Sequence, residues 1–410
     1  MNINRLYCYP DVSTELSIAV NQSYKTSIDL SAVLYTNVTI LPAKILNDRY
    51  AVGGCLDEKD NFIWQSAINK VLGYSYAYEK VNSTTDQTYI YIGYMYNCYG
   101  HMLGDCLRWL WFVKTKECQS LLKQGAKFVC ISIEPLQRYQ LELLKLAGVE
   151  DVMRIDSVTK VRKLYIPNQS IYTEKEQNYF SDAFNETIEA IINQAKKEVY
   201  SIFPSKIYLT RRGWKSDIYG ELLVEKYFKK NGFAIVSPEK HSIAEQIAMM
   251  NNAHEVVATE SSLSHSMIFC KMNTRCHILR KNLHINKYSL FINQMRKLNV
   301  SYVDCSLSLF LDNNRWWDGP FFIYPNDNLV NCFVTHTYRR SKLPKYEFAK
   351  YLLHSIFYTS NLIGRLTNIN YVYAKILQDE LVKNPPMRFH IPQNIIKRLI
   401  RKVKKYVRQS

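Results

Sequence analysis

The sequence lacks a glycine-rich phosphate loop, so neither a P-loop nor a dinucleotide-binding fingerprint is supported. Its ten cysteines include no Cys-x-x-Cys pair. Several, such as Cys106, Cys130 and Cys270, lie inside apolar runs and read as buried reduced thiols, the state expected of a cytosolic protein. No run approaches the roughly 20 apolar residues that a spanning helix needs. The N-terminal stretch MNINRLYCYPDVSTELSIAV has no basic region followed by an apolar one, so no signal peptide is expected. The sequons at Asn37 and Asn82 then carry no meaning. No Asp-x-Asp motif stands at the end of a strand-like run, and the expectation is no metal and no cofactor.

What is present points to a basic, well-cored protein. The chain has 410 residues, 47% of them hydrophobic, which predicts two domains plus extras rather than one. A net charge of +17 implies an acidic partner, whether nucleic acid, an anionic membrane or a phosphorylated substrate. The 31 tyrosines would suit stacking on sugars or bases, although most belong in a core.

The organising stretch runs from Lys206 to Arg280. Short apolar runs at Lys206–Thr210, Phe233–Val236, Glu255–Ala258 and Cys276–Leu279 have the length of buried strands. Between them, Leu222, Leu223, Tyr227 and Phe228, then Ile243, Ile247 and Met250, fall at helical spacing. Such alternation predicts a parallel sheet with helices on its faces, which places ligands at the carboxyl ends of the strands. Two of those ends are chemically loaded: Arg211, Arg212 and Lys215 at one, and Glu260-Ser261-Ser262-Leu263-Ser264-His265 at the other. Arginine pairs two phosphate oxygens at once, and serine hydroxyls with free helix N–H groups could join it. Either motif alone is explained by a basic surface loop or a serine N-cap. Together, at neighbouring strand ends, they favour an anion site.

Upstream, residues 30–100 read as short strands, followed by a helix over Gly100–Lys116 that buries Leu103, Leu107, Leu110 and Trp111. His101 and Asp105 are four residues apart and share a face near its start. A solvated helix start would explain them, with Asp favoured by the dipole. Gly100 before them, and a strand end just upstream, favour a catalytic role. A buried strand at 126–133, a helix ending at Gly148 and a strand at Leu164–Ile166 close a first α/β unit. A long polar helix over Asn178–Ser201 bridges to the second.

The run R-R-x-x-K, G-E-L, GF-x-I-V-x-PE, I-x-EQI and ESSLSHSMIF resembles glycosyltransferase family 61 in its bacterial, polysaccharide-making branch. The block YIGYMYNCYGHMLGDCLRWLW (Tyr91–Trp111) is similar to that family's G-H-F-L-x-E-x-x-x-R-L-W helix through Gly100, His101, Leu103, Asp105, Arg108 and Trp109. Gly53-Gly54 with Asp57 and Phe62-Ile63 adds a weaker match, so the resemblance spans roughly residues 35 to 285. Asp105 stands where Glu is usual, Gly220 where Asn is usual and Ser261 where Gly is usual. Animal and plant members of that family usually carry an anchor near the N-terminus, and the lack of one here favours the expectation of a bacterial cytoplasmic enzyme.

The resemblance implies the architecture called GT-B: two Rossmann-like α/β domains facing a cleft, here residues 1–169 on the acceptor side and 170–310 on the nucleotide-sugar side. Residues 311–390 hold an aromatic segment with Trp316 and Trp317, then helices over 347–381. The tail 391–410 places Ile395, Ile396, Leu399, Ile400, Val403 and Val407 on one helical face against seven Lys or Arg, a pattern that fits an anionic membrane surface.

The reading is an inverting glycosyltransferase that takes a sugar from a nucleotide-sugar, a UDP-sugar by preference. The acceptor is a lipid-linked or polymeric saccharide of capsule or lipopolysaccharide assembly. His101 or Asp105 would be the base. Arg211, Arg212 and Lys215, with Glu221, Glu260, Ser261, Ser262, Ser264 and His265, would bind the donor, and Arg108 would support the acceptor or the structure. Expected partners are nucleotide-sugar, saccharide and membrane, without nucleic acid, and with self-association left open. The expected location is cytoplasmic, at the periphery of the inner (plasma) membrane. The alternatives are an inactive relative acting as a partner subunit, or a nucleic-acid-binding protein.

Overall fold

The computed structural model describes residues 4–8, 10–46, 50–67, 75–174, 177–212, 218–282, 284–306 and 320–333, with 344, 347, 348, 350 and 351. Lys215, Trp316, Trp317, the tail 391–410 and nearly all of 347–381 lie outside the described residues.

The chain opens with β1 (Arg5–Tyr7) and α1 (Pro10–Asn21), then β2 (Ala32–Leu46), β3 (Tyr50–Leu56) and β4 (Ser83–Tyr94). The short helix α2 (Tyr99–Gly104), a 3₁₀ segment (Cys106–Lys114) and α3 (Lys116–Lys123) lead to β5 (Lys127–Ile131), α4 (Arg138–Ala147), β6 (Val152–Ile155) and β7 (Thr159–Pro167). After the hairpin β8 (Ile171–Glu174) and β9 (Gln177–Phe180) comes α5 (Asp182–Glu198). The second half runs β10 (Lys206–Leu209), β11 (Ile218–Tyr219), α6 (Glu221–Lys230), β12 (Ala234–Val236), α7 (Ile243–Asn252), β13 (Glu255–Thr259), α8 (Ser262–His265) and β14 (Arg275–Arg280). It closes with α9 (Lys287–Met295), β15 (Asn299–Asp304), β16 (Phe321–Phe322) and α10 (Asp327–Phe333).

The expected alternation over 206–280 is present. The second sheet is wholly parallel, in the order β1-β15-β14-β13-β10-β12. Read from β10 this is a doubly wound order, with β12 on one side and β13, β14 and β15 on the other. The direction reverses between β10 and β13, which is where such sheets open a crevice for ligands. Each strand buries both faces: Ile207, Leu209, Val256 and Ala258 point into one core, while Tyr208 and Val257 point into another with Val224 and Phe228 of α6. A period of two across a sheet covered on both sides explains the continuous apolar runs.

Three expectations need correction. β1 belongs to the second sheet, beside β15, whereas the sequence pattern places all of residues 1–169 in the first unit. The chain therefore starts in one sheet and crosses to the other. The first sheet, β3-β2-β7-β4-β5-β6, is mixed rather than fully Rossmann-like, because β2 runs antiparallel to both β3 and β7. A connection as short as 47–49 can join only antiparallel neighbours. Third, the bridging helix begins at Asp182, after a strand over Gln177–Phe180, and it is amphipathic rather than polar, burying Phe184, Ile188, Ile191 and Ile192.

α5 packs against α4 of the first unit and α7 of the second. One core is thereby continuous from Ile90, Ile92 and Phe128 of the first sheet to Ile207 and Val256 of the second. Cys106, Cys130 and Cys270 are buried and free, as their apolar settings predicted.

Candidate active site

The expected single helix over Gly100–Lys116 is broken at Asp105, whose backbone (φ −123°, ψ −41°) separates α2 from the 3₁₀ segment. The break turns Asp105 inward. Its Oδ2 accepts from His101 Nδ1 at 2.7 Å and from the Tyr288 hydroxyl at 2.6 Å, and its Oδ1 accepts from Arg108 Nη2 at 2.6 Å. Arg108 Nε also donates to the Asp105 carbonyl at 2.8 Å, and Nη1 reaches Gln169 at 2.9 Å. Burial alone would raise the Asp105 pKa. The three donors outweigh it and hold the carboxyl down to about 2. Burial likewise works against a charged His101 ring, but its bond to Asp105 wins and lifts the imidazole above its ordinary value.

The two residues differ in access. The His101 side chain is 47% exposed and that of Asp105 4%. Asp105 is therefore spent on positioning, while His101, held through Nδ1, keeps Nε2 for other work. The ring stands between Tyr96 (centroids 5.2 Å) and Tyr288 (5.8 Å).

Tyr288 comes from the second unit, and the approach depends on two glycines one helical turn apart. A Cβ on Gly104 would lie 2.5 Å from the Tyr288 ring, and one on Gly100 would lie 2.9 Å from both His265 Nδ1 and Ser262 Oγ. No side chain fits at those separations, so α2 can lie directly on α8 and α9 only with glycine at both positions. Tyr99 and Ser266 bond across the same junction at 3.2 Å.

His265 is buried, and its ring stacks on Tyr288 at 5.4 Å. Asn286 caps α9 by accepting from the N–H groups of Tyr288 and Ser289, which leaves its Nδ2 to donate to His265 Nε2 at 3.2 Å. The proton of the neutral ring then sits on Nδ1, which faces the backbone at Gly100. Burial pushes the His265 pKa down to about 4, so the ring stays neutral.

The two loaded strand ends are neighbours, since β10 pairs directly with β13. Their details differ from expectation. α8 is a single four-residue turn, and Ser261 already caps it by accepting from the Leu263 N–H at 3.2 Å. Ser264 donates to the Ser261 carbonyl at 2.7 Å. These serines build the turn and leave few free N–H groups, so the expected anion seat at that helix start is largely used internally. Ser262 keeps a partly exposed position beside Gly100.

Glu221 is buried at the start of α6 and accepts from the Arg211 N–H at 2.9 Å and the Tyr208 hydroxyl at 3.3 Å. It fixes the backbone at Arg211, just past the end of β10, and burial raises its pKa. Arg212, 58% exposed, pairs with buried Glu225 at 2.9 Å. Glu260 is also buried, with its carboxylate 4.0 Å from Arg280. Burial pushes it up to about 7, against the pull of Arg280 and Lys281.

The structure thus brings His101, Asp105 and Arg108 together with Ser262 and His265, and sets Arg211, Arg212 and Glu260 along the neighbouring strand ends. Tyr288 was missed. One tyrosine among 31 carries no signal, although the capping Asn286 just after β14 marks a third loaded strand end. Among the described residues no group of three His, Cys, Asp or Glu is placed to hold a metal ion, and no helix is long and apolar enough to cross a membrane.

No curated protein matches the chain. Residues 99–277, from the start of α2 to the middle of β14, match the family model described as Glycosyltransferase 61. That stretch contains the His101–Asp105 pair, both loaded strand ends and His265, and the match supports membership of glycosyltransferase family 61 and a transferase activity.

Proposed function

We propose that the protein is an inverting glycosyltransferase of GT-B type, with a nucleotide-sugar donor held over the second sheet and a saccharide acceptor approaching from the first. The observation that carries this reading is the His101–Asp105 pair, delivered by α2 onto α8 and α9 beside the crevice of a doubly wound sheet. In this mechanism His101 Nε2 takes the proton of the acceptor hydroxyl. That oxygen attacks the anomeric carbon as the bond to the diphosphate oxygen breaks, and the electron pair leaves with the nucleotide. Asp105 stabilises the imidazolium and fixes its tautomer, and Tyr288 and Arg108 hold Asp105 in place. Arg211, Arg212 and Lys215 stabilise the departing diphosphate. His265 and Ser262 border the donor sugar, and Glu260, a carboxyl near half-protonation at neutral pH, lies beneath.

The acceptor in this proposal is a lipid-linked or polymeric surface saccharide, and the enzyme works at the cytoplasmic face of a membrane. The net charge of +17 and the basic amphipathic tail 391–410 support that placement. Thermal shift across a panel of nucleotide-sugars identifies the donor, because ligand bound well above its Kd raises stability by kilocalories. With that donor, His101→Ala should lower transfer by about 10²–10⁴ at unchanged donor affinity. A loss of only about twofold, far below a general base's worth, would remove His101 from the role. Chelation with EDTA should leave transfer intact, and a loss that magnesium restores would reveal a metal requirement.

A further inference from the structure

The second sheet has an opposite edge, formed where its strands begin. Lys206, Glu255, Arg275 and Asn299 pair in one register row across β10, β13, β14 and β15. The turns feeding that row are bonded to one another: His254 and Glu255 N–H groups donate to the Ser205 carbonyl, Arg275 N–H to His254 and Asn273 N–H to Lys297. The segments 199–205, 271–274 and 297–298 therefore form one continuous rim.

That rim combines apolar tips with positive charge. Tyr200 and Ile202 are 94% and 101% exposed, and Met272 is 59% exposed. Within 196–206, 271–275 and 297–299 there are six Lys or Arg and one acid, Glu198. At the same edge of the sheet, under α6 and α10, lies a cavity of about 410 Å³ lined by Arg5, Lys206, Arg275, Phe233 and Phe333, with Glu255 as its one carboxylate. Glu255 is buried and bonded to Lys206 (3.1 Å), Arg275 (3.3 Å) and His277 (3.0 Å), which offset its burial and hold its pKa near 2. The remaining positive charge faces outward, in a cavity of the size that takes small ligands.

We propose that this rim docks on an anionic lipid bilayer. Tyr200, Ile202 and Met272 enter the headgroup boundary, Lys196, Lys197, Lys271 and Lys297 face the lipid phosphates, and the Arg5–Lys206–Arg275 cavity receives one headgroup. Exposed apolar side chains ringed by cations are the complement of an anionic interface, where each basic residue near the surface adds about 1 kcal/mol. The proposal rests neither on the tail 391–410 nor on the transferase reading. It lies one strand length, roughly 15–20 Å, from the edge that carries the catalytic residues. The enzyme would then stand on the membrane with its cleft raised to meet a saccharide growing outward from its lipid.

The test is hydrogen exchange on the full chain, with vesicles of phosphatidylcholine and phosphatidylglycerol, vesicles of phosphatidylcholine alone, and inorganic phosphate. Segments 199–204 and 271–273 should be protected by the anionic vesicles only. A Tyr200→Ser, Ile202→Ser, Met272→Ser variant should keep its unfolding temperature and partition onto anionic vesicles about tenfold or more weakly, having lost its apolar contacts. Absence of protection in the wild type, or equal partition of variant and wild type, would overturn the proposal. Protection by inorganic phosphate equal to that by vesicles would make the rim a soluble-anion site and overturn it as well.

Discussion

Two buried carboxyl groups stand near the proposed reaction site, and their surroundings drive them in opposite directions. Asp105 accepts from His101, Tyr288 and Arg108 and is held down to about 2. Glu260 sits at the end of β13 with its nearest guanidinium 4.0 Å away and is pushed up to about 7. Burial is the first cause in both and raises both. The number and closeness of donors decides the outcome. The chain thus holds one carboxylate that is charged throughout the physiological range and one carboxyl that is part protonated, and only the first can steady an imidazolium.

The sharpest way to break this comparison is to neutralise each group. Asp105→Asn removes the carboxylate paired with fully buried Arg108, and should cost about 3–5 kcal/mol in denaturant unfolding. Glu260→Gln imitates a form that the protein already populates near pH 7. If it costs as much as Asp105→Asn, the assigned difference between the two sites is wrong.

Stability against pH separates them further. Asp105 has a folded pKa below its unfolded value, so its contribution is present above about pH 4 and is lost as pH falls toward 2. Glu260 has a raised folded pKa, so its contribution is present below its unfolded pKa near 4.5 and is lost as pH rises through 7. Glu260→Gln should therefore flatten the loss of stability between pH 5 and 7 while leaving acid unfolding below pH 4 unchanged.

A smaller effect is expected at the donor phosphate. Arg211→Ala should weaken UDP by about 1.5–3 kcal/mol, the worth of a charged hydrogen bond, while uridine binding hardly moves. Equal loss for both ligands in titration calorimetry would remove Arg211 from the diphosphate site. At the junction of the units, Gly104→Ala places a methyl group against the Tyr288 ring and should cost about 1–3 kcal/mol by overpacking. Because Tyr288 holds Asp105, transfer should fall together with stability. Normal stability and normal transfer would show that the two units need not meet so closely.

Much of the second unit was legible in the sequence because buried parallel strands write continuous apolar runs, as in Lys206–Leu209 and Glu255–Thr259, with amphipathic helices between them. The His101–Asp105–Arg108 cluster was legible because i, i+3 and i, i+4 spacing survives even where the helix breaks. The break itself was not, because it follows from long-range donors to Asp105, above all Tyr288, 183 residues away. The placement of β1 depends on a partner near residue 301 and has no local mark. The capping role of Ser261 and Ser264 was hidden by an ambiguity in chemistry, since a hydroxyl and an N–H that could hold a phosphate can equally satisfy each other.

The measurement that bears most directly on the account is the pH dependence of kcat/KM for transfer, in the wild type and in His101→Ala. A base must be neutral to accept a proton, so the wild-type rate should climb with pH and level off above an apparent pKa higher than the ordinary histidine value, because Asp105 raises it. In His101→Ala that limb should vanish and the plateau should fall by about 10²–10⁴. An unchanged limb in the variant, or a plateau within about twofold of wild type, would contradict the claim that His101, positioned by Asp105, is the base.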